Sequence, residues 1–333
     1  MGSSPYIGSK ALLVQGVGKS PEIPNTPSLL AGPLSGPARV LRLVLGTAAV
    51  PRRDPGWWSL WDRFHEAGGN CFDAAFHYGE TAERTLGGWI ASRGVRDELV
   101  IVSKSAHTPA CRPESVAPQL EESLERLRTD RVEIHLLHRD DPAVPVGEFV
   151  DALDEQVRKG RARAVGVSNW TVERAQAFDE YAELHGRARL ALLSNQLSLA
   201  EMVQPVWAGC RCAFDAETRT WLEQRRLPLL AWSARARGFF EGRADDDEEV
   251  TRCWLSKENV TRRRRARALA GRRGVAPVAV ALAWVLAQRF PTLAAVGPRS
   301  PEELETCLSA LQIELDPDEV QALEGVPGSC GQP

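Results

Sequence analysis

From residue 39 onward, short apolar and β-branched runs alternate with stretches whose apolar residues return every three or four positions. The runs VLRLVLG (40–46), NCFDAA (70–75), LVIVSK (99–104), VEIHLLH (132–138), RAVGVSN (163–169), LALLSNQ (190–196), LPLLAWS (227–233) and TLAAVGP (292–298) read as buried strands. The stretches between them read as helices. In SVAPQLEESLERL, for instance, Val116, Leu120, Leu124 and Leu127 share one helical face. Several of these stretches end in glycine, as helices do. One long helical segment runs from about 259 to 288, and PEELETCLSAL (301–311) follows the last strand.

Strand–helix units in this number predict an α/β fold, a closed parallel (β/α)8 TIM barrel, typically ~250 residues plus insertions. The reading is a single barrel domain over 39–333, preceded by an irregular Gly-, Pro- and Ser-rich extension over 1–38. An open doubly wound sheet would carry a Gly-rich turn after its first strand. Here that strand runs into GTAAVPRRDPG, which has no G-x-G-x-x-G. QGVGKS (15–20) looks like the end of a phosphate loop, but Leu13 stands where the loop needs its first glycine.

Composition narrows the function classes. A hydrophobic content of 43% supports a sizeable core, and a net charge of −3 gives no global pull toward nucleic acid or a membrane. No apolar run approaches the ~18 residues of a membrane span, and the N-terminus does not read as a secretory signal. Seven scattered cysteines suggest reduced thiols, so a cytoplasmic protein is expected. Cys210 and Cys212 form a C-x-C with no second Cys/His pair at finger spacing, and no metal is expected. TRRRRAR (261–267), with DDDEE (245–249) upstream, reads as a solvated helix face with local charge balance rather than a nucleic-acid patch. The pattern leaves the oligomeric state open.

A barrel of this kind carries its chemistry at the C-terminal ends of the strands. The second strand ends at Asp73, with His77 and Tyr78 just beyond; the third ends at Lys104 and the fourth at His138, followed by Arg139, Asp140 and Asp141. The fifth ends at Ser168 and Asn169, the sixth at Asn195 and Gln196, the seventh at Trp232 and Ser233. Singly, Asp73 could cap a helix, Lys104 could be a solvated lysine and His138 a core histidine; a nearly full ring of polar strand ends is harder to explain that way. His135 stands three residues before His138 and faces the other side of the strand, so it reads as structural. A tyrosine hydroxyl with pKa ~10 is a poor acid, and a nearby ammonium favours the phenolate. Asp, Tyr, Lys and His together therefore make a tuned acid for an oxyanion, the requirement of carbonyl reduction by hydride.

FDAAFHYG, VSKSAH, LLHRDD, GVSNW, SNQLS, LLAWSARARGFF and VGPRSPEEL, in that order, resemble the aldo-keto reductase superfamily over about residues 40–326. The resemblance implies a barrel that binds a nicotinamide dinucleotide, with Tyr78 as general acid, Lys104 and Asp73 lowering its pKa, and His138 orienting the carbonyl. It implies that Ser168, Asn169 and Gln196 hold the carboxamide, that Trp232 stacks on the nicotinamide, and that Ser233, Arg235 and Arg237 approach the pyrophosphate. Gly297, Arg299 and Ser300 would face the adenosine end. Two positions depart from the family pattern: Cys307 replaces a common asparagine, and Glu303 stands where some relatives place an arginine against the 2′-phosphate. Arg299 offers an alternative charge, so NADPH is expected, with NADH as the alternative.

The expected substrate pocket holds Phe76, His77, Arg139 and Trp170, and suits a small carbonyl compound, sugar-like or aromatic. The expected activity is NADPH-dependent reduction of an aldehyde or ketone. Two alternatives stand beside it: an NAD-dependent alcohol dehydrogenase working oxidatively, and a cofactor-binding regulatory barrel without turnover.

Overall fold

The computed structural model describes residues 40–50 and 56–325. The expected extension over 1–38, including QGVGKS, lies outside the described residues. The elements follow in the order β1 (Leu43–Gly46), α1 (Gly56–Glu66), β2 (Cys71–Asp73), α2 (Glu80–Arg93), β3 (Val100–Ser105), α3 (Val116–Leu127), β4 (Val132–Leu137) and α4 (Val146–Arg158). Then come β5 (Ala162–Ser168), α5 (Val172–His185), β6 (Leu190–Ser194), α6 (Ala216–Arg225), β7 (Leu229–Ala231), α7 (Glu248–Trp254), α8 (Lys257–Arg273), α9 (Pro277–Leu286), β8 (Thr292–Val296), α10 (Pro301–Ser309) and α11 (Pro317–Glu324).

The eight strands close in sequence order into a parallel barrel, β8 pairing back onto β1 with Leu43 opposite Ala294. Each predicted run holds one strand. Alternation along the strands separates two apolar layers. Val44, Cys71, Val100, Val102, Ile134, Leu136, Leu192, Leu230 and Leu293 fill the interior, while Leu43, Leu45, Phe72, Ile101 and Val165 face the helices. Gly166 on β5 is required by this packing, because a Cβ there would come 2.5 Å from the Leu192 carbonyl oxygen.

The same period of two decides the site. Continuing the interior rows toward the C-terminal ends reaches Asp73 on β2, Lys104 on β3, His138 after β4, Ser168 on β5, Gln196 after β6 and Trp232 after β7. His135 falls on the outer row, where its Nε2 meets Ser105 Oγ at 2.8 Å. Burial drives its pKa down to about 3, so it is a neutral structural group.

Three segments differ from the sequence reading. The long helix expected over 259–288 is two helices, broken at Gly274, which takes φ 65°, and restarted by Pro277. α9 is apolar all round and buried, so its composition carries no face signal. α7 and α11 were not expected; α11 begins with a capping box of Asp316 and Glu319. The arginine run lies on α8 as expected, with Arg263 near Asp245 at 3.8 Å and Arg262 near Glu201 at 3.7 Å. No single helix among the described residues is long and apolar enough to cross a membrane.

Candidate active site

Asp73, Tyr78, Lys104 and His138 converge at the barrel mouth. Lys104 and Asp73 are both buried, and the ammonium bonds Asp73 Oδ1 directly. Tyr78 reaches the pair from the one-turn helix of residues 76–78 that follows β2. Its Oη donates to Asp73 Oδ2 at 2.9 Å and accepts from Lys104 Nζ at 3.1 Å. The ring is half-buried, with its hydroxyl at the inner end. His138 is set by its backbone N–H, which continues the β4 ladder to the Ser105 carbonyl at 2.7 Å. Its ring stands edge-on to Tyr78, 5.7 Å between centroids.

The electrostatics correct one expectation. Lys104 and Asp73 were expected to lower the Tyr78 pKa, but the phenol is held well above its ordinary value. Burial is the largest cause, followed by the Asp73 charge and the hydrogen bond to it. The carboxylate that neutralises Lys104 is also the acceptor of the phenolic proton, so it favours the neutral phenol. His138 is shifted the other way, well below the ordinary histidine range, by burial and then by the Lys104 charge. Its imidazole is therefore neutral.

The predicted pocket residues separate. His77 faces the mouth, stacked on His107 with centroids 3.6 Å apart and planes 3° from parallel. His107 in turn stands edge-on to His138 at 4.8 Å. Sequence reasoning missed His107, although its position three residues past Lys104 on the same strand-end loop was a usable signal. Arg139 is buried and spans from His107 Nε2 (3.4 Å) to Cys210 Sγ (3.2 Å). Trp170 and Phe76 do not line the mouth. Trp170 is fully buried between Phe149 and Phe178, its indole N–H bonded to the Arg139 carbonyl at 3.1 Å. It is an apolar anchor beneath the rim. The Phe76 ring lies 4.8 Å from the guanidinium of Arg126 on α3, outside the barrel.

On the opposite side of the mouth, Ser168 Oγ donates to the Ser194 carbonyl at 2.9 Å. Asn169 donates to Ser168 Oγ at 3.0 Å and to the His138 carbonyl at 3.2 Å. Gln196 donates to Ser198 Oγ at 2.9 Å, and Trp232 keeps a buried indole N–H without a partner. Beyond β7 the backbone turns through Ser233 (φ 50°), Ala236 (47°), Arg237 (51°) and Gly238 (99°). The turn is closed by its own backbone, the Ala236 N–H donating to the Ser233 carbonyl at 2.8 Å and the Gly238 N–H to the Arg235 carbonyl at 3.2 Å. A Cβ on Gly238 would meet the Arg243 side chain at 2.3 Å, so glycine is needed there on both counts. Arg235 is buried over this turn with its Nε unpartnered. These features fit a pyrophosphate group.

Glu303 draws the adjoining cations together. It accepts from Arg235 Nη1 at 3.1 Å and from the Arg299 backbone N–H at 3.2 Å, and it pairs with Arg243 at 3.3 Å. Ser300 caps α10 through the Glu303 N–H at 3.3 Å, while the Arg299 side chain and Gly297 are exposed. Cys307 is buried, its thiol pushed up to about 11 chiefly by burial.

Residues 42–327 match the Aldo/keto reductase family. The chain belongs to that family. Norsolorinic acid reductase stcV of Emericella nidulans is 31% identical over 352 residues, covering 94% of this chain and 86% of the relative. An aldo-keto reductase from Klebsiella pneumoniae, solved with NADPH, superposes with a TM-score of 0.67 at 26% identity, covering 86% of this chain and 91% of its own. The thermostable aldo-keto reductase Tm1743, solved with the inhibitor epalrestat, gives 0.70 at 23% identity, covering 86% and 94%, and shares the fold.

The protein is thus an aldo/keto reductase, an oxidoreductase built on a (β/α)8 barrel. Its four candidate acid–base groups come from β2 to β4 and their loops. The polar groups expected to face a dinucleotide come from β5 to β8. In this aldo/keto reductase the two sets meet through Asn169, which bonds the His138 carbonyl from one side and Ser168 from the other.

Proposed function

We propose that this protein reduces an aldehyde or ketone to the alcohol with NADPH, Tyr78 delivering the proton. The observation that carries this reading is the placement of Tyr78 Oη within 2.9 Å of Asp73 and 3.1 Å of Lys104, beside a neutral His138. Bound reduced nicotinamide supplies a hydride to the carbonyl carbon. As charge builds on the carbonyl oxygen, Tyr78 gives it the phenolic proton. The phenolate left behind faces the Lys104 ammonium, which Asp73 holds in place. The raised pKa keeps that proton on Tyr78 at neutral pH until an oxyanion, a stronger base, forms. Neutral His138 offers an N–H to orient the carbonyl.

On the cofactor side, Ser168, Asn169 and Gln196 are assigned to the carboxamide and Trp232 to stacking on the nicotinamide. Ser233, Arg235, Arg237 and the left-handed turn are assigned to the pyrophosphate. Gly297, Arg299 and Ser300 are assigned to the adenosine end, where Glu303 tempers the positive charge. The preference for NADPH is supported by the Klebsiella relative solved with that cofactor and by the exposed Arg299 side chain. The name of the Emericella relative supports the reductive direction. Titration with NADPH and NADH, followed by tryptophan emission, tests the binding half, because a nicotinamide on Trp232 should quench it. NADPH consumption across a panel of aldehydes and ketones tests the chemistry. Absence of saturable binding by either dinucleotide would overturn the reading.

A further inference from the structure

Arg139 is a cation without a counter-ion in the mouth of the site. Its side chain is 5% exposed, and no carboxylate lies within ion-pair distance among the described residues. The nearest acids in sequence are committed elsewhere: Asp140 pairs with Arg174 at 2.9 Å, and Asp141 accepts from the Ala143 N–H at 3.0 Å. Lys104, another buried cation of the site, is neutralised by Asp73.

The two groups that touch the guanidinium are an imidazole and a thiol, neither of them a carboxylate. His107 Nδ1 lies 2.8 Å from the Thr108 carbonyl, which can only accept, so the ring proton sits on Nδ1. That leaves the Nε2 lone pair for Arg139 Nε. Nη1 meets the thiol of Cys210, a free cysteine and a weak acceptor. Nη2 has no partner among the described residues. Burying a charge on such terms is costly unless an anion completes the site. The side chain also lies where a ligand would pass. It leaves the end of β4 and touches the loops after β3 and β6, so it crosses the barrel mouth beside His138. The pKa values of His77 and His107 are lowered, by burial first, with the Arg139 charge contributing to both.

We infer that Arg139 recognises a carboxylate on the substrate, so that the preferred substrate is a carbonyl compound bearing a carboxylate several bonds from the reacting carbon. The spacing follows from the geometry. The His107 ring touches both the guanidinium, at 3.4 Å, and His138, at 4.8 Å between centroids, so the anion is expected about one imidazole width from the carbonyl. The His77–His107 stack lies along the same path as a flat wall. A monoanion suits the site better than a phosphate dianion, because a single guanidinium with its Nη2 free has few donors to offer.

The inference rests on the reductase reading, and the test separates the two. para-Carboxybenzaldehyde and methyl para-formylbenzoate differ in charge while keeping the aldehyde and ring. Their kcat/KM values are compared in the wild type, Arg139→Met and Arg139→Lys. The wild type should favour the acid roughly tenfold or more, mainly through KM, as a hydrogen bond to a charged group would give. Arg139→Met should abolish that ratio, and Arg139→Lys should fall between. The melting temperature of Arg139→Met should equal or exceed that of the wild type, since an uncompensated charge is removed. An acid-to-ester ratio near one in the wild type, or one that survives in Arg139→Met, would overturn the inference while leaving the reductase reading intact. So would a lowered melting temperature with the ratio unchanged, the mark of a structural arginine. If neither aldehyde is reduced, the kinetic comparison gives no ratio, and the reductase reading is judged by dinucleotide binding and the wider carbonyl panel. Calorimetric titration with benzoate then decides the anion site: binding lost in Arg139→Met upholds it, and equal or absent binding in both proteins removes it.

Discussion

Tyr78 donates its phenolic proton to Asp73 Oδ2 at 2.9 Å, so the group that neutralises Lys104 also restrains the proposed acid. The Asp73 charge raises the Tyr78 pKa, second only to burial. Reduction needs the protonated phenol and is lost as pH rises through that pKa. Asp73→Asn removes the raising charge and leaves Lys104 unopposed, both of which lower it. The alkaline limb of the kcat/KM profile for reduction should therefore move to lower pH in Asp73→Asn. A limb displaced upward would mean that Asp73 acts mainly through Lys104, as the sequence alone suggested.

Tyr78→Phe keeps the ring against Lys104 and removes the proton. Turnover in reduction should fall by about 10²–10⁴-fold, the range for loss of a positioned acid. Cofactor binding, followed by tryptophan quenching, should stay close to the wild type. Comparable losses in both would point to a collapsed site rather than a missing acid.

Glu303 pairs with Arg235 and Arg243, cations that a phosphate would otherwise attract. Glu303→Gln keeps the shape and removes the competing charge. The ratio of NADH to NADPH dissociation constants should rise, on the order of tenfold for one charge at close range. Parallel titrations measure it, and an unchanged ratio would place the 2′-phosphate away from Glu303.

Glu133 lies on the outer face of β4, buried, accepting from the Ile101 N–H at 2.8 Å and from Arg96 at 3.1 Å. Glu133→Ala leaves the buried Ile101 N–H without its acceptor and Arg96 without its carboxylate, although Arg96 keeps the Arg131 carbonyl at 2.7 Å. A loss of about 3–5 kcal/mol is expected for breaking such a buried pair. Chemical denaturation would detect it, and a loss below about 1 kcal/mol would show that water replaces the carboxylate.

Acid should destabilise the fold through its buried histidines. His135 is neutral in the folded chain, its pKa lowered from 6.5 to about 3, and His138 is lowered well below 6.5. Below about 6.5 the unfolded chain takes up protons that the folded one refuses, so stability drains away as pH falls toward 3. His135→Gln should flatten this part of the stability profile.

Most of the barrel was legible because buried parallel strands are nearly continuous apolar runs, and most of the runs led into a polar residue. Asp73, Lys104 and His138 were legible for the same reason: a period of two carries them inward. Trp170 misled, since a residue one place beyond Asn169 turns outward into the layer under α4 and α5. His107 lies just past the strand in VSKSAH, where a loop residue has no period to aim it. The direction of the Tyr78 shift was beyond sequence reasoning, as it depends on which partner receives the phenolic proton. The break between α8 and α9 was signalled by Gly274 and Pro277, within a stretch otherwise helical throughout.

The seam between β8 and β1 has a consequence for assembly. Asp73, Tyr78, Lys104 and His138 lie within one contiguous third of the chain, whereas the residues assigned to the dinucleotide are spread over the remainder. A nascent chain can bring the first group together early, but only the last strand to emerge shuts the cylinder that holds the two groups face to face. That pairing joins segments from nearly opposite ends of the described chain, the kind of contact that forms slowly. Competence for chemistry is therefore a property of the finished ring, acquired at closure rather than accumulated strand by strand.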